Sequence, residues 1–84
     1  MNKNDMCEKI REFIERNMIT FDEIRIEYDD NIFEKGYVNS IFAMRLLSYI
    51  EKNFDIVVED KDIKLENFSS INRIKLLIEQ SKGV

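Results

Sequence analysis

The sequence predicts a small, mainly helical single domain. Its 84 residues fit one domain, and three segments carry apolar residues at the three- and four-residue spacing of amphipathic helices. Pro is absent, Gly occurs only at Gly36 and Gly83, and no biased tract is present, so no segment resembles a linker. We therefore expect one domain over residues 1–84.

The first helix is predicted over residues 3–17, and either Asn4 or Asp5 can cap its start. Cys7 lies on the apolar stripe of this helix, and no base nearby would stabilise a thiolate, so we interpret it as a small core residue. The stripe consists of Met6, Cys7, Ile10, Phe13 and Ile14.

The stretch over residues 18–38 is ambiguous. Ile24, Ile26 and Tyr28 alternate with charged residues, as in a strand, and residues 55–59 are also rich in β-branched side chains. On periodicity alone an α+β fold therefore stays open, although no tight turn joins either segment to a hairpin partner. The apolar residues of the stretch predict an ordered loop that packs onto a core: Ile19, Phe21, Ile32 and Phe33. Loops of this length are often functional.

The second helix, over residues 40–54, has the clearest pattern. Asn39 is a favourable N-cap, and Asp55 tolerates the left-handed conformation that often ends a helix. Its apolar face consists of Ile41, Met44, Leu47 and Ile50, extended by Leu46 and Phe54.

The last helix is predicted over residues 70–81, where Ser69 or Ser70 caps its start and Gly83 follows its end. Its stripe consists of Ile71, Ile74, Leu77 and Ile78. Between the second and last helices, residues 60–68 indicate a short helical turn anchored by Ile63, Leu65 and Phe68.

The composition excludes several classes of function. Thirteen basic and seventeen acidic residues give a net charge of −4, which argues against binding to nucleic acid. Because His is absent, no Ser–His or Cys–His nucleophile pair can form, and with one Cys there is neither a structural zinc site nor an internal disulfide. No apolar run approaches the ~18 residues that cross a bilayer, so we expect a cytoplasmic protein with no membrane insertion.

The residue that we single out for chemistry is Ser40, in the segment GYVNSIF. It stands in the first turn of the second helix, where backbone donors point outward and the positive end of the helix dipole favours a nearby anion. A serine at this position can equally be an ordinary capping residue, so the local pattern alone does not decide its role.

Residues 31–78 resemble an acyl carrier protein. Asn39-Ser40-Ile41 stands where such carriers have an Asp-Ser-Leu or Asp-Ser-Met motif, and a glycine-containing loop precedes it, as in the family. Further similarities are Leu46, Glu51 and Phe54 in the helix, residues 55–58 after it, and residues 67–71 at the entry to the last helix.

The resemblance implies that Ser40 carries 4′-phosphopantetheine, moved there from coenzyme A by a phosphopantetheinyl transferase. The thiol of this arm would hold an acyl group as a thioester, so the chain would be a carrier and not an enzyme, with no catalytic residue and no metal. The implied fold is all-α: a four-helix bundle with a long first loop and a short third helix. With this fold, the strand-like segments in residues 18–38 and 55–59 are expected to be helix or loop.

The sequence departs from the family pattern near Ser40. Asn39 replaces the usual Asp, and Phe42 and Arg45 occupy positions that are often acidic. We expect Phe42 to be partly exposed and Arg45 to select partners with an acidic or neutral patch. The residues predicted to recognise partners are Val38, Asn39, Ile41, Phe42, Met44, Arg45 and Ile63.

Within the family, the strings around Ser40, residues 51–54 and residues 66–71 are similar to free-standing carriers of hydroxymalonyl- or methoxymalonyl-type units in polyketide or hybrid peptide–polyketide assembly. A monomer served by an acyl-loading enzyme and by synthase or transferase modules is then expected. The alternatives are a D-alanyl carrier for teichoic acid modification, a nonribosomal peptide carrier, and an unmodified helical interaction module.

Overall fold

The computed structural model describes residues 3–18 and 25–82. In chain order the elements are α1 (Lys3–Arg16), α2 (Ser40–Phe54), two short 3-10 turns (Asp60–Asp62 and Leu65–Phe68) and α3 (Ile71–Ser81). No β-strand occurs in the described ranges, so the prediction of an all-α fold is confirmed.

The expected count of four helices is wrong, because the described residues form three α-helices. The short third helix is two 3-10 turns, separated by Ile63 and Lys64 in non-helical conformations (φ −81°, ψ 83° and φ −132°, ψ 144°). Of its three predicted apolar anchors only Phe68 is buried, whereas Leu65 is 47% exposed and Ile63 is half-buried. One buried side chain gives too little apolar face to stabilise a regular helix, so short 3-10 turns form instead.

The helix ends follow their capping residues. The α2 helix has the predicted bounds, with Asn39 as N-cap and Asp55 in the left-handed region at φ 54°, ψ 53°. The start of α3 is capped by the Ser70 side chain. The α1 helix already begins at Lys3, so the prediction that Asn4 or Asp5 caps it is wrong, and Gly83 lies outside the described residues.

Apolar residues of the three helices form a single core. Cys7 is buried within it, as predicted, and burial raises the pKa of its thiol. The predicted apolar face of α2 is wrong at Ile41 and Met44, which are 70% and 58% exposed, because the helix instead buries Phe42 and Ala43 in its first turns. The residues that are almost completely buried come from every part of the described chain: Ile10, Ile14, Ile26, Ile32, Leu46, Ile50, Phe68, Ile71, Ile74, Leu77 and Ile78. The core therefore fixes the three helices and the loops between them together.

Neither of the two β-like segments pairs as a strand in the described residues. Ile26 is completely buried, and its N–H donates to Glu15 Oε2 at 3.0 Å while its carbonyl accepts from Arg11 Nε at 2.8 Å. In the second segment, the Val58 N–H donates to Glu51 Oε2 at 2.9 Å. Helix side chains thus satisfy backbone groups that a neighbouring strand would otherwise bind.

The first loop is ordered over its described part, residues 25–38. Ile26, Ile32 and Val38 are buried, and the Ile32 N–H donates to the Ser69 carbonyl, at the entry to α3, at 2.8 Å. The prediction of a loop that packs onto the core is confirmed there. Phe33, also predicted to pack there, is half-buried against the core. The other two predicted packing residues, Ile19 and Phe21, lie outside the described residues, as does the strand-like Ile24.

Candidate functional site

A compact turn leads into α2. The side-chain oxygen of Asn31 accepts hydrogen bonds from the N–H groups of Phe33 at 3.1 Å and Glu34 at 3.0 Å, which reverses the chain locally. Gly36 follows with φ 74°, a conformation that a side chain would disfavour. The position of the α2 start therefore depends on this turn.

Asn39 caps α2 and leaves the next residue free of that role. Its backbone is extended (φ −110°, ψ 178°), and its Oδ1 accepts from the N–H groups of Ile41 at 3.1 Å and Phe42 at 3.2 Å. Ser40 is exposed, and its hydroxyl has no hydrogen-bond partner among the described residues. The hydroxyl is therefore available at the surface for modification.

The charges near Ser40 favour an anion. The first turn of α2 contains no acidic residue, and the positive end of the helix dipole lies there. Arg45 is exposed one turn further on and forms no ion pair within residues 3–18 and 25–82. Lys35, by contrast, is held by Asp30 at 3.1 Å, and this contact raises the pKa of the Lys35 ammonium.

A shallow groove of about 250 Å³ lies beside the first turns of α2. It is lined by Asn17, Val38, Asn39, Ile41, Phe42 and Arg45. Five of these are predicted recognition residues, so the structure brings most of that set together. Met44 and Ile63 do not line this groove.

Asn17 is the lining residue that sequence reasoning missed. It follows the end of α1, and its side-chain amide donates to the Phe13 carbonyl at 2.7 Å. The Phe13 ring packs against the Phe42 ring at 5.6 Å between centroids, which sets the α1 end beside the α2 start. No local pattern signals this contact, because it depends on packing between residues far apart in the chain.

Two of the predicted recognition residues are buried, which is a correction. Phe42, expected to be partly exposed, is only 5% exposed because it packs against Phe13 of α1. Val38 is 4% exposed because the loop turns its side chain into the core. Neither can present much surface to a partner.

The other predicted recognition residues are accessible to different degrees. Ile41 is 70% exposed and Met44 is 58% exposed. Asn39 and Arg45 are also exposed, and Ile63 is half-buried. This set gives α2 an exposed face that is apolar and basic.

Ser40 has neither a histidine nor a cluster of metal-binding side chains beside it in the described residues. The sequence has no His to act as a base for Ser40, and no cluster that could hold a metal ion occurs in the part of the chain that the structure describes. None of the helices described is both long and apolar enough to cross a bilayer.

Comparison with known proteins identifies the family of this chain. The family described as "Phosphopantetheine attachment site" matches residues 6–78. The D-alanyl carrier protein of Lactococcus lactis subsp. lactis (strain IL1403) is 31% identical over 77 residues, which cover 92% of this chain and 96% of the relative. The D-alanyl carrier protein of Lactobacillus acidophilus (strain ATCC 700396 / NCK56 / N2 / NCFM) is 27% identical over 63 residues, which cover 75% of this chain and 80% of the relative.

Proposed function

The chain belongs to the acyl carrier protein family, whose members carry covalently attached 4′-phosphopantetheine, and we propose that Ser40 is the attachment residue. The observation that carries this proposal is the exposed, unpartnered hydroxyl of Ser40 in the first turn of α2. The cofactor fits this position, because its phosphate would lie at the positive end of the helix dipole.

In the proposed modification, Ser40 Oγ forms a phosphodiester bond with the pantetheine phosphorus of coenzyme A. The diphosphate P–O bond breaks, 3′,5′-ADP leaves, and the hydroxyl proton passes to a base of the transferase, since this chain has no His. Asn39 holds the helix start in place through its hydrogen bonds to the N–H groups of Ile41 and Phe42. Once attached, the cofactor supplies the thiol that holds an acyl group as a thioester.

Intact-mass analysis after incubation with coenzyme A and a broad-specificity transferase tests the attachment residue. We expect one phosphopantetheine mass on the unchanged chain and none on Ser40→Ala. Ser48→Ala is the matched control, because Ser48 is an exposed serine of the same helix, and it should be modified normally. Addition to Ser40→Ala, or no addition to the unchanged chain, would overturn the proposal.

For the cargo we propose a D-alanyl group. Support comes from relatives named D-alanyl carrier protein, including that of Lactococcus lactis subsp. cremoris (strain MG1363), 31% identical over 75 residues that cover 89% of this chain and 94% of the relative. The hydroxymalonyl- or methoxymalonyl-type unit predicted from the sequence strings remains the competing candidate, with no support from these relatives.

A loading assay separates the two cargoes. The modified chain is offered D-alanine, ATP and a D-alanine-activating ligase, or malonyl-coenzyme A with an acyltransferase, and the acyl product is read by intact mass. We expect a D-alanyl thioester that hydroxylamine removes. A malonyl product formed in preference would overturn the D-alanyl proposal and leave the attachment at Ser40 intact.

We also propose that the exposed residues around Ser40 recognise the transferase and the loading enzyme. These residues are Asn39, Ile41, Met44 and Arg45, and we add the half-buried Ile63, which lies between the two 3-10 turns. Arg45→Glu should change kcat/KM for modification or loading and leave kcat nearly constant, because surface charge acts mainly on association. Lys82→Glu, at the end of α3, is the control, and equal effects of the two changes would contradict a local role for Arg45.

The competing hypothesis is an unmodified interaction module. It requires that Ser40→Ala leaves the function in the cell intact, whereas the carrier proposal requires complete loss.

We propose that residues 1–84 act in either case as one monomeric domain, which light scattering of the purified chain would test.

A further inference from the structure

A polar strip on α1 holds the first loop by its backbone. Glu8, Arg11 and Glu15 are spaced by three and four residues, so they share one face of the helix. Arg11 Nε donates to the Ile26 carbonyl at 2.8 Å, and Glu15 Oε2 accepts from the Ile26 N–H at 3.0 Å. Because Ile26 is completely buried, these two side chains satisfy backbone groups that water cannot reach.

The same strip also holds the loop two residues later. The Tyr28 hydroxyl donates to Glu8 Oε2 at 2.6 Å, and Arg11 Nη1 donates to the same oxygen at 2.6 Å. The Arg11 guanidinium carbon lies 4.7 Å from the centre of the Tyr28 ring, which adds a cation–π contact. Arg11 therefore binds the loop at its backbone and at an aromatic ring together.

A series of backbone contacts leads from this held segment to the start of α2. The Tyr28 carbonyl accepts from the Asn72 N–H at 3.0 Å, and the Ile32 N–H donates to the Ser69 carbonyl at 2.8 Å. The Ile32 carbonyl then accepts from the Tyr37 N–H at 3.0 Å, three residues before the attachment serine. The strip, the entry to α3 and the turn before α2 are thus physically continuous.

We propose that Glu8, Arg11 and Glu15 are positioning residues for Ser40. They hold residues 25–28 against α1 and so fix the turn that presents the serine hydroxyl to the transferase. The inference rests on the proposed attachment at Ser40. Positioning matters for that reaction because small errors in the placement of a reacting group lower the rate strongly. The three residues touch neither the hydroxyl nor the cofactor.

The test compares two changes at Glu15. Glu15→Ala removes the acceptor for the buried Ile26 N–H, whereas Glu15→Gln keeps an acceptor oxygen and removes only the charge. We expect Glu15→Ala to lower kcat/KM for phosphopantetheine transfer by roughly two- to thirtyfold, and Glu15→Gln to restore most of it. Amide exchange should show lower protection at Tyr37 and Val38 in Glu15→Ala alone.

Ile78→Val is the control for a general loss of stability. Ile78 is buried in α3 and belongs neither to the strip nor to the loop. Both variants are assayed at the same temperature, and each transfer rate is divided by the folded fraction obtained from its free energy of unfolding before the two are compared. Equal rates, or failure of Glu15→Gln to restore transfer, would show that the strip acts only on stability and would overturn the proposal.

The exchange measurement separates this inference from the proposed function. Unchanged protection at Tyr37 in a folded Glu15→Ala variant would overturn the positioning role even if Ser40 is modified normally. If the unchanged chain receives no phosphopantetheine, the attachment proposal fails, and the positioning role fails with it. If Glu15→Ala does not fold, Arg11→Lys gives the same comparison, because Lys keeps the charge without the guanidinium fork.

Discussion

Two helices of this protein have a serine at their start in similar sequence, Asn39-Ser40-Ile41 at α2 and Ser69-Ser70-Ile71 at α3, but Ser40 is the first residue of α2 whereas Ser70 precedes α3. At α3 the serine is itself the cap: Ser70 is 6% exposed, and its hydroxyl accepts from the Arg73 N–H at 3.2 Å. At α2 the preceding Asn39 is the cap, so the hydroxyl of Ser40 stays exposed and unpartnered among the described residues. A helix-start serine is available for modification when a neighbouring residue has taken over the capping.

The residue after each serine shows the same contrast. Ile71 is completely buried, whereas Ile41 is 70% exposed. The α3 start is therefore held in the core and the α2 start faces solvent. Of these two helix starts, the one at α2 has the exposed serine, whereas the serine at α3 is 6% exposed.

The largest expected effect comes from removing the two isoleucine side chains. Ile71→Ala should lower the free energy of unfolding by about 2–5 kcal/mol, because it leaves a cavity in the core. Ile41→Ala should change it by less than about 0.5 kcal/mol, as is usual for an exposed site. Urea denaturation measures both changes, and equal losses would mean that the two helix starts do not differ in burial.

The two serines provide the next comparison. Ser70→Ala removes a cap and should lower the free energy of unfolding by about 1 kcal/mol. Ser40→Ala should leave this quantity within about 0.5 kcal/mol, because its hydroxyl makes no hydrogen bond within the described residues. Urea denaturation of both variants checks the prediction, and a larger loss in Ser40→Ala would contradict the assignment of the cap to Asn39.

Changes at Asn39 test directly whether this residue caps α2, and we expect a smaller effect on the free energy of unfolding. Asn39→Ala removes the acceptor for two N–H groups and should cost about 1 kcal/mol or less, whereas Asn39→Asp should preserve stability because Asp caps comparably. Thermal unfolding of the pair measures the difference. If both variants are as stable as the unchanged chain, the side-chain hydrogen bonds of Asn39 do not stabilise α2.

The smallest expected effect is on the pH dependence of the free energy of unfolding. It involves Tyr28, which bonds Glu8 through its hydroxyl and the Asn72 N–H of α3 through its carbonyl. The Tyr28 hydroxyl, and then Arg11 and Arg25, lower the pKa of the Glu8 carboxyl. This contribution to stability is present above the ordinary Glu pKa of about 4.3 and is lost as the pH falls through the lower folded value. The stability of the unchanged chain should therefore fall more steeply below about pH 4 than that of Glu8→Gln. Urea denaturation at several pH values measures the free energy of unfolding of both chains. The same pH dependence in the unchanged chain and in Glu8→Gln would contradict this prediction.

The sequence predicted the elements whose signals are local. The bounds of α2, its Asn39 cap, the left-handed Asp55, the Ser70 cap and the burial of Cys7 all follow from residue type and spacing, and the structure confirms them. The position of Ser40 in the first turn of a helix belongs to the same group, because capping residues and helical periodicity act within a few residues of each other.

Tertiary packing decided the rest. Residues 25–28 alternate like a strand, yet the partners of Ile26 are the side chains of Arg11 and Glu15, and spacing along the chain does not encode that choice. Phe42 is buried because the Phe13 ring covers it. The segment expected to form the short third helix forms two 3-10 turns, because Phe68 is the one buried residue among its three predicted anchors. Local sequence sets where helices begin and end, whereas burial depends on which distant side chains meet, and only the folded chain brings them together.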